Sequence, residues 1–261
     1  MITSSQNQQM KQIVQLNKKS KTRCEQRVFV VEGIKMFLEA PKMWIKAVYV
    51  AESFLKTIKH RELLQDYAYE VVEDSIFNTI SDTQTPQGIL CLIKMPQYSL
   101  AEILKQQEKK KPPHLLLLES IQDPGNLGTM IRTGEGAGIT GVIMNSSTVD
   151  IFNPKTIRAT MGSIYRVPFY MAKDFTEVIT NAKQEGVSLY AAHLKGTLSY
   201  DQPDYTKACG FLIGNEGNGL SNEVAELADT YIRIPMEGNV ESLNAAIAAT
   251  LLMYEVNRQR R

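Results

Sequence analysis

From residue 114 onward the chain alternates short apolar runs with stretches of helical spacing. The runs are HLLLLES (114–120), TGVIMN (140–145), VPFYM (167–171), VSLYAA (187–192), CGFLIG (209–214) and TYIRIP (230–235). No other feature restricts the fold as strongly. Runs this short and this apolar suit strands buried on both faces, and parallel strands need crossovers, which the intervening helical segments supply. The fold class is therefore α/β with a mostly parallel sheet. Ahead of it, FVVEG (29–33), KAVYVA (46–51), YEVV (69–72) and GILCLI (88–93) read as shorter strands. IKMFLEA (34–40) and SFLKTIKHRELLQD (53–66) have helical spacing between them, so a small α/β domain precedes the large one.

The division falls in the stretch from Ser99 to Pro113, where a short helical pattern passes into a lysine-rich charge run closed by Pro112 and Pro113. Two prolines cannot continue a helix and favour an extended connection. The expected organisation is a first domain at 1–98, a linker at 99–113 and a second domain at 114–261, and 261 residues suffice for two cores.

Several classes are set aside. The opening MITSSQNQQMKQIVQLNKK lacks the apolar centre of a secretory signal, and the run Ala245 to Tyr254 is too short to span a membrane, so a cytoplasmic protein is expected. Cys24, Cys91 and Cys209 form no CxxC pair and are accompanied only by His60, His114 and His193, so neither a disulfide framework nor a metal site is expected. The net charge of +1 favours no partner, but residues 1–27 hold Lys11, Lys18, Lys19, Lys21, Arg23 and Arg27 against Glu25 alone. That excess fits contact with phosphate, or simply one solvated helix face.

Three segments of the second domain look unlike ordinary connections, and each follows a strand, where parallel sheets place their ligands. In LLLLESIQDPGNLGTMIRTGEGAG a strand gives way to Asp123-Pro124-Gly125-Asn126 and a helix carrying Arg132, with Asn126 a candidate cap. In GFLIGNEGNGLS, Gly214, Gly217 and Gly219 punctuate a loop holding Asn215 and Glu216 ahead of a helix capped by Ser221. In YIRIPMEGNVESLNAAIAATLLMYE, Pro235 and Gly238 interrupt the chain, and Ser242-Leu243-Asn244 open an almost wholly apolar helix, with Ser242 a candidate cap. Gly136 to Gly141 spells GxGxxG, but it precedes a strand instead of following one, so the dinucleotide reading fails. Asn145-Ser146-Ser147 is a chance sequon.

DPGNLGTMIRT, FLIGNEGNGLS and IPMEGNVESLNAAIAATLLMYE, joined by NPKTIRATMGSIYRVP (153–168), resemble in order and spacing the motifs of the SpoU/TrmH branch of the SPOUT RNA methyltransferases. FVVEGIKMFLEA resembles, more loosely, the L30e-like substrate-binding domain found in many of these enzymes. The chain departs from the family at Gly134 and Gly136, where about 1 kcal/mol of helix stability per glycine is the expected loss relative to alanine.

The resemblance implies a trefoil-knotted domain and S-adenosylmethionine held by backbone groups around Gly214, Ile234 and Leu243, with Asn215, Gly217, Pro235, Met236 and Ser242 beside them. It gives Arg132 the catalytic step and makes Asn126, Glu216, Ser242 and Asn244 its positioning partners. A guanidinium has no acceptor while charged, so Arg132 is read as binding a neighbouring phosphate and stabilising alkoxide charge. Lys18, Lys19, Lys21, Arg23, Lys155 and Arg158 are the RNA-binding candidates. The implied reaction is methylation of a ribose 2′-hydroxyl in structured RNA, 23S ribosomal RNA ahead of transfer RNA, with no metal. A catalytically inert RNA-binding or ribosome-assembly module is the alternative. The helix Asn244 to Glu255 offers no polar face, which points to a homodimer through the second domain.

Overall fold

The computed structural model describes residues 1–105 and 111–261, so the lysine run of the expected linker, at 106–110, lies outside the described residues. The first part of the chain forms α1 (Gln8–Lys18), α2 (Ser20–Gln26), β1 (Val28–Glu32), α3 (Ile34–Glu39), β2 (Ile45–Ala51), α4 (Ile58–Leu63), β3 (Glu70–Val72), α5 (Asp74–Ile80) and β4 (Ile89–Lys94). Then come α6 (Leu100–Lys105), β5 (His114–Leu118), α7 (Pro124–Ala137), β6 (Gly141–Asn145), α8 (Pro154–Thr160), β7 (Phe169–Ala172) and α9 (Phe175–Gln184). The chain closes with β8 (Ser188–Ala192), β9 (Leu198–Ser199), β10 (Cys209–Ile213), α10 (Asn222–Glu226), β11 (Thr230–Arg233) and α11 (Ala245–Gln259). Among the described residues, no helix is long and apolar enough to cross a membrane.

The chain makes two compact units: Met1–Pro96 together with Asp150–Tyr165, and Gln97–Val149 together with Arg166–Arg261. In the first unit the strand order is β1-β4-β2-β3, with β4 antiparallel to both β1 and β2, and β3 parallel to β2. The segment 150–165, which carries α8, packs on β1: the rings of Phe29 and Phe152 lie 4.7 Å apart, and the Tyr165 hydroxyl donates to the Met36 carbonyl at 3.1 Å. Arg23 is 3 % exposed; its Nε and Nη2 donate to Asp150 at 3.0 and 2.5 Å, and its Nη1 to the carbonyls of Leu16 and Asn17. Arg23 was expected on a basic surface. It is instead an interior residue, because a guanidinium with three acceptors around it is satisfied without water.

The stretch 53–66, read from its spacing as one helix, divides into a 3-10 turn (Glu52–Lys56) and α4. Extended Thr57 separates them, and the division lets His60 stack on buried Phe54, ring centroids 4.1 Å apart.

In the second unit seven strands run in the order β7-β6-β5-β10-β8-β11-β9, and every neighbouring pair is parallel. Leu115 to Leu118 of β5 are fully buried, as sequence runs apolar on both faces require. Each such leucine contributes about 2 kcal/mol of burial. Leu115, Leu117 and Leu212 share a core cluster with Val178, Ile179 and Ala182 of α9, Val224 of α10 and Ile103 of α6. α11 packs on α7 and β10.

Gly134 has a packing reason that helix propensity misses. A Cβ there would come within 2.4 Å of Ile139 Cδ1 and 3.2 Å of Met253 Sδ, so the bare backbone is what lets α7 approach both. The expected cost of that glycine is thus offset by close helix contact.

Candidate active site

Strands β5, β10, β8 and β11 are consecutive and parallel, so their C-terminal ends share one edge of the sheet. The segments leaving that edge include residues 119–126, 214–221 and 234–244, the three stretches singled out by sequence. It also includes His193 to Lys195 after β8, which the sequence reading passed over. The signal there was Gly196, whose Cβ would strike the Ile232 carbonyl carbon at 2.6 Å, marking a tight crossing beside β11.

The loop after β10 is held by the loop after β5. Glu119 accepts the Ser221 N–H at 2.8 Å and its hydroxyl at 2.7 Å, and Ser221 in turn caps α10 through Val224 N–H. Asn215 donates to the Ser120 carbonyl at 2.9 Å, while its own side-chain oxygen accepts from the N–H groups of Gly217 and Asn218. Asn215 and Gly219 exchange backbone hydrogen bonds at 3.0 and 2.9 Å, closing the loop on itself. A Cβ on Gly214 would lie 2.1 Å from the backbone of Gly219 and Leu220. Of the three glycines in this loop only Gly219 has positive φ, at 70°. Gly214 is needed for the close approach of the loop's own backbone.

Closed in this way, the loop projects Glu216 toward the start of α7. Its carboxylate accepts the N–H groups of Gln122 and Asp123, each at 3.0 Å, and the side-chain amide of Asn126 at 3.1 Å. Partial burial pushes the Glu216 carboxyl up, but the hydrogen bonds from Gln122, Asn126 and Asp123 outweigh it and hold the group below the usual carboxylate range. Asn126 passes the connection on: its side-chain oxygen accepts from the Asn244 amide at 3.1 Å. Asn244 then caps α11, accepting from Ala246 N–H at 2.9 Å and Ile247 N–H at 3.3 Å. The relay Glu216, Asn126, Asn244 therefore joins all three segments, and it fixes the Asn126 amide, whose nitrogen faces an obligate acceptor and whose oxygen faces a donor.

Two caps differ from expectation. Asp123, not Asn126, caps α7, its carboxylate accepting the Asn126 N–H at 2.8 Å, with Pro124 at the first helical position where its missing N–H costs nothing. Asn244, not Ser242, caps α11. Asn126 and Ser242 are left free of that local duty. Ser242 is exposed and makes no hydrogen bond with a described residue.

Arg132 lies exposed on α7 and makes no hydrogen bond or ion pair with a described residue. The next residue, Thr133, meets Thr250 of α11 at 3.0 Å, which ties the Arg132 turn to the helix that Asn244 opens. From Ile234 to Leu243, including Pro235 and Met236, no residue hydrogen-bonds a described residue, so the N–H and C=O groups of this segment remain available. Ile234 and Leu243 are half-buried and the residues between them exposed. Such a set, open amides beside apolar side chains, suits the neutral edges of an adenine and ribose. Among the described residues, no three His, Cys, Asp or Glu gather to hold a metal ion.

In the first unit, Lys18, Lys19 and Lys21 are exposed around the α1–α2 junction, Lys21 sharing a loose pair with Glu25 at 3.9 Å. Lys155 is exposed at the start of α8, and Arg158 pairs with Asp82 at 2.5 Å.

Residues 113–254 match the family model described as the SpoU rRNA Methylase family, and residues 7–91 that of the MRM3-like substrate binding domain. The chain is 32% identical over 257 residues to the 23S rRNA (guanosine(2553)-2'-O)-methyltransferase RlmP of Bacillus subtilis, covering 98% of each. Among solved structures it is similar to an AdoMet-bound rRNA methyltransferase from Sinorhizobium meliloti, with a TM-score of 0.84 and 31% identity over 98% and 97% of the two chains. It is likewise similar to the SpoU methyltransferase AviRb from Streptomyces viridochromogenes in complex with AdoMet, with a TM-score of 0.87 and 27% identity over 98% of each. A parallel sheet whose edge joins DPGN, GNEGNG and ESLN in one relay, matched along its length in this way, belongs to the SpoU rRNA methylase family.

Proposed function

We infer that this chain transfers a methyl group from S-adenosylmethionine to a ribose 2′-hydroxyl of 23S ribosomal RNA, ahead of transfer RNA, in the cytoplasm. The observation that carries this reading is Arg132, unpartnered among the described residues, on the helix whose first turn the relay of Glu216, Asn126 and Asn244 holds. When bound, S-adenosylmethionine supplies an electrophilic methyl group. The chain's residues do the rest. Open backbone groups between Ile234 and Leu243, with Gly214, Asn215 and Gly217 across the sheet edge, hold adenine and ribose by their edges. Ser242, with its hydroxyl free, is placed among them.

The guanidinium of Arg132 offers N–H donors only and no acceptor. It therefore takes no proton, and the 2′-hydroxyl proton leaves to a phosphate of the substrate or to water. Its donors bind a substrate phosphate and steady the negative charge that grows on the 2′-oxygen. Glu216, Asn126 and Asn244 position the start of α7 and so the turn that carries Arg132. Lys18, Lys19, Lys21, Lys155 and Arg158 add phosphate contacts from the first unit.

The same reading includes a homodimer through α11. Ile247, Leu251 and Tyr254 are 50 %, 37 % and 44 % exposed and recur at helical spacing, forming one apolar stripe opposite the buried Ala246, Ala249 and Met253. A second copy covers that stripe.

The deciding experiment is Arg132→Ala. Methyl transfer to a 23S RNA transcript falls by at least about 1000-fold, the scale of losing a preorganised charge stabiliser, while affinity for S-adenosylmethionine stays at the wild-type value. Retained transfer would remove Arg132 from the reaction, and failure of the wild-type chain to bind the cofactor would favour the inert RNA-binding module.

A further inference from the structure

The first unit holds a cleft of about 300 Å³ that the reaction does not use. Its floor is Phe54 and Phe77, both buried, and Gly88 with positive φ lies against Phe54. His60 stacks on Phe54 at 4.1 Å with 14° between the planes. Its Nδ1 is committed to the Phe54 carbonyl at 3.0 Å, which can only accept, so Nε2 is left for a ligand.

The rim is polar and only half spent. Asp74 uses Oδ1 twice, accepting from Ser53 N–H at 3.0 Å and from its hydroxyl at 2.8 Å, and these bonds hold the carboxyl below its usual range. Oδ2 makes no hydrogen bond with a described residue. Gln87 uses its oxygen on the Ile34 N–H at 2.9 Å and keeps its amide hydrogens. Asn78 is exposed with its side chain unengaged among the described residues. The cleft therefore sets an ionised acceptor near amide donors, beside the half-buried ring of His60 that stacks on Phe54.

Resting on the reading that this protein acts on RNA, we propose that the cleft takes one unstacked guanine of the substrate, at a position other than the methylated ribose. Guanine alone among the bases presents two adjacent N–H donors beside a carbonyl, which match the open Oδ2 of Asp74, an oxygen with two lone pairs, next to an amide N–H; single-stranded bases are read in this way, bonded on their edges. A cavity of this volume is at the small end of ligand sites, suited to a single base. Lys56, Lys59 and Arg61, against Glu52 and Glu62, lie on the segment that supplies Phe54 and His60 and give flanking phosphates a partner.

The test is fluorescence anisotropy of the full chain with the labelled pentaribonucleotides UUGUU, UUAUU, UUCUU and UUUUU, without cofactor. Wild type binds UUGUU about tenfold more tightly than the others, the scale of one two-point base contact. Asp74→Asn, which keeps an acceptor for Ser53, erases the preference, and Asn78→Ala, at an exposed unbonded position, reduces it. Equal binding of all four, a different preferred base, or a guanine preference that survives both substitutions overturns the proposal. Methyl transfer by the wild type is scored separately, so that a wild type with no guanine preference but intact transfer removes the cleft and leaves the catalytic reading, whereas the reverse pattern removes the catalytic reading alone.

Discussion

Glu216→Gln tests whether the relay at the sheet edge is held by charge. The carboxylate accepts three N–H groups, two of them from the backbone that opens α7. Glutamine keeps one acceptor and turns an amide toward the remaining donors, so at least one backbone N–H loses its partner and another faces a like dipole. Charge-assisted bonds of this kind contribute about 1.5–3 kcal/mol each when buried. Glu216 is exposed, and screening reduces the whole loss to roughly 2 kcal/mol. Displacing Asn126 shifts Arg132 by a fraction of an ångström to an ångström, which lowers kcat/KM roughly 10- to 100-fold.

The pH dependence has a definite sign. The folded-state carboxyl of Glu216 is held below its ordinary value, so its contribution is complete above about pH 4.3 and disappears as pH falls through the folded value. Thermal melts and methyl incorporation into an RNA transcript check both statements. Wild-type and variant melting temperatures differ by a constant amount from neutral pH down to about 5 and converge below 4. An unchanged rate, or a difference that widens on acidification, would refute the assignment of Glu216 as a charged anchor.

Other outcomes follow from the same geometry. Arg23→Ala strands Asp150 and the Leu16 carbonyl and lowers the stability of the first unit by about 3 kcal/mol, read by urea unfolding; a loss below about 0.5 kcal/mol would show that the pair is not buried in solution. Replacing Lys18, Lys19 and Lys21 with glutamine weakens RNA binding and reduces the slope of log affinity against log salt by up to about 3, whereas an unchanged slope would return these lysines to a solvated face. Leu251→Glu converts a dimer to a monomer in light scattering of the full chain at micromolar concentration, and a wild-type monomer would refute the α11 interface.

What could be read from the sequence was what depends on local pattern. The strand runs from Val28 to Arg233 fall within a residue or two of their expected places, because burial on both faces leaves a continuous apolar signature. β9, at Leu198–Ser199, was passed over since two residues carry no period. The caps were misplaced by three positions on α7 and two on α11. Asp123 and Asn126, like Ser242 and Asn244, are chemically equivalent capping types, and only tertiary hydrogen bonds tell which of each pair is engaged elsewhere. Arg23 and Gly134 were misjudged for a related reason: a charge looks solvated and a glycine looks costly until the partner arriving from distant sequence is known.

That distance in sequence bears on how the protein is made. Asp150–Tyr165 belongs with the first unit, so a nascent chain that has released residues 1–96 still lacks the helix that covers β1 and the carboxylate that neutralises Arg23. The packing of the first unit is complete only once residues 150–165 have emerged. Ribosomal synthesis proceeds at about 5–20 residues per second, which puts this wait at several seconds. During it β1 has α1, α2 and α3 against it but lacks α8, and a fragment ending at Pro96 would lack that contact for good.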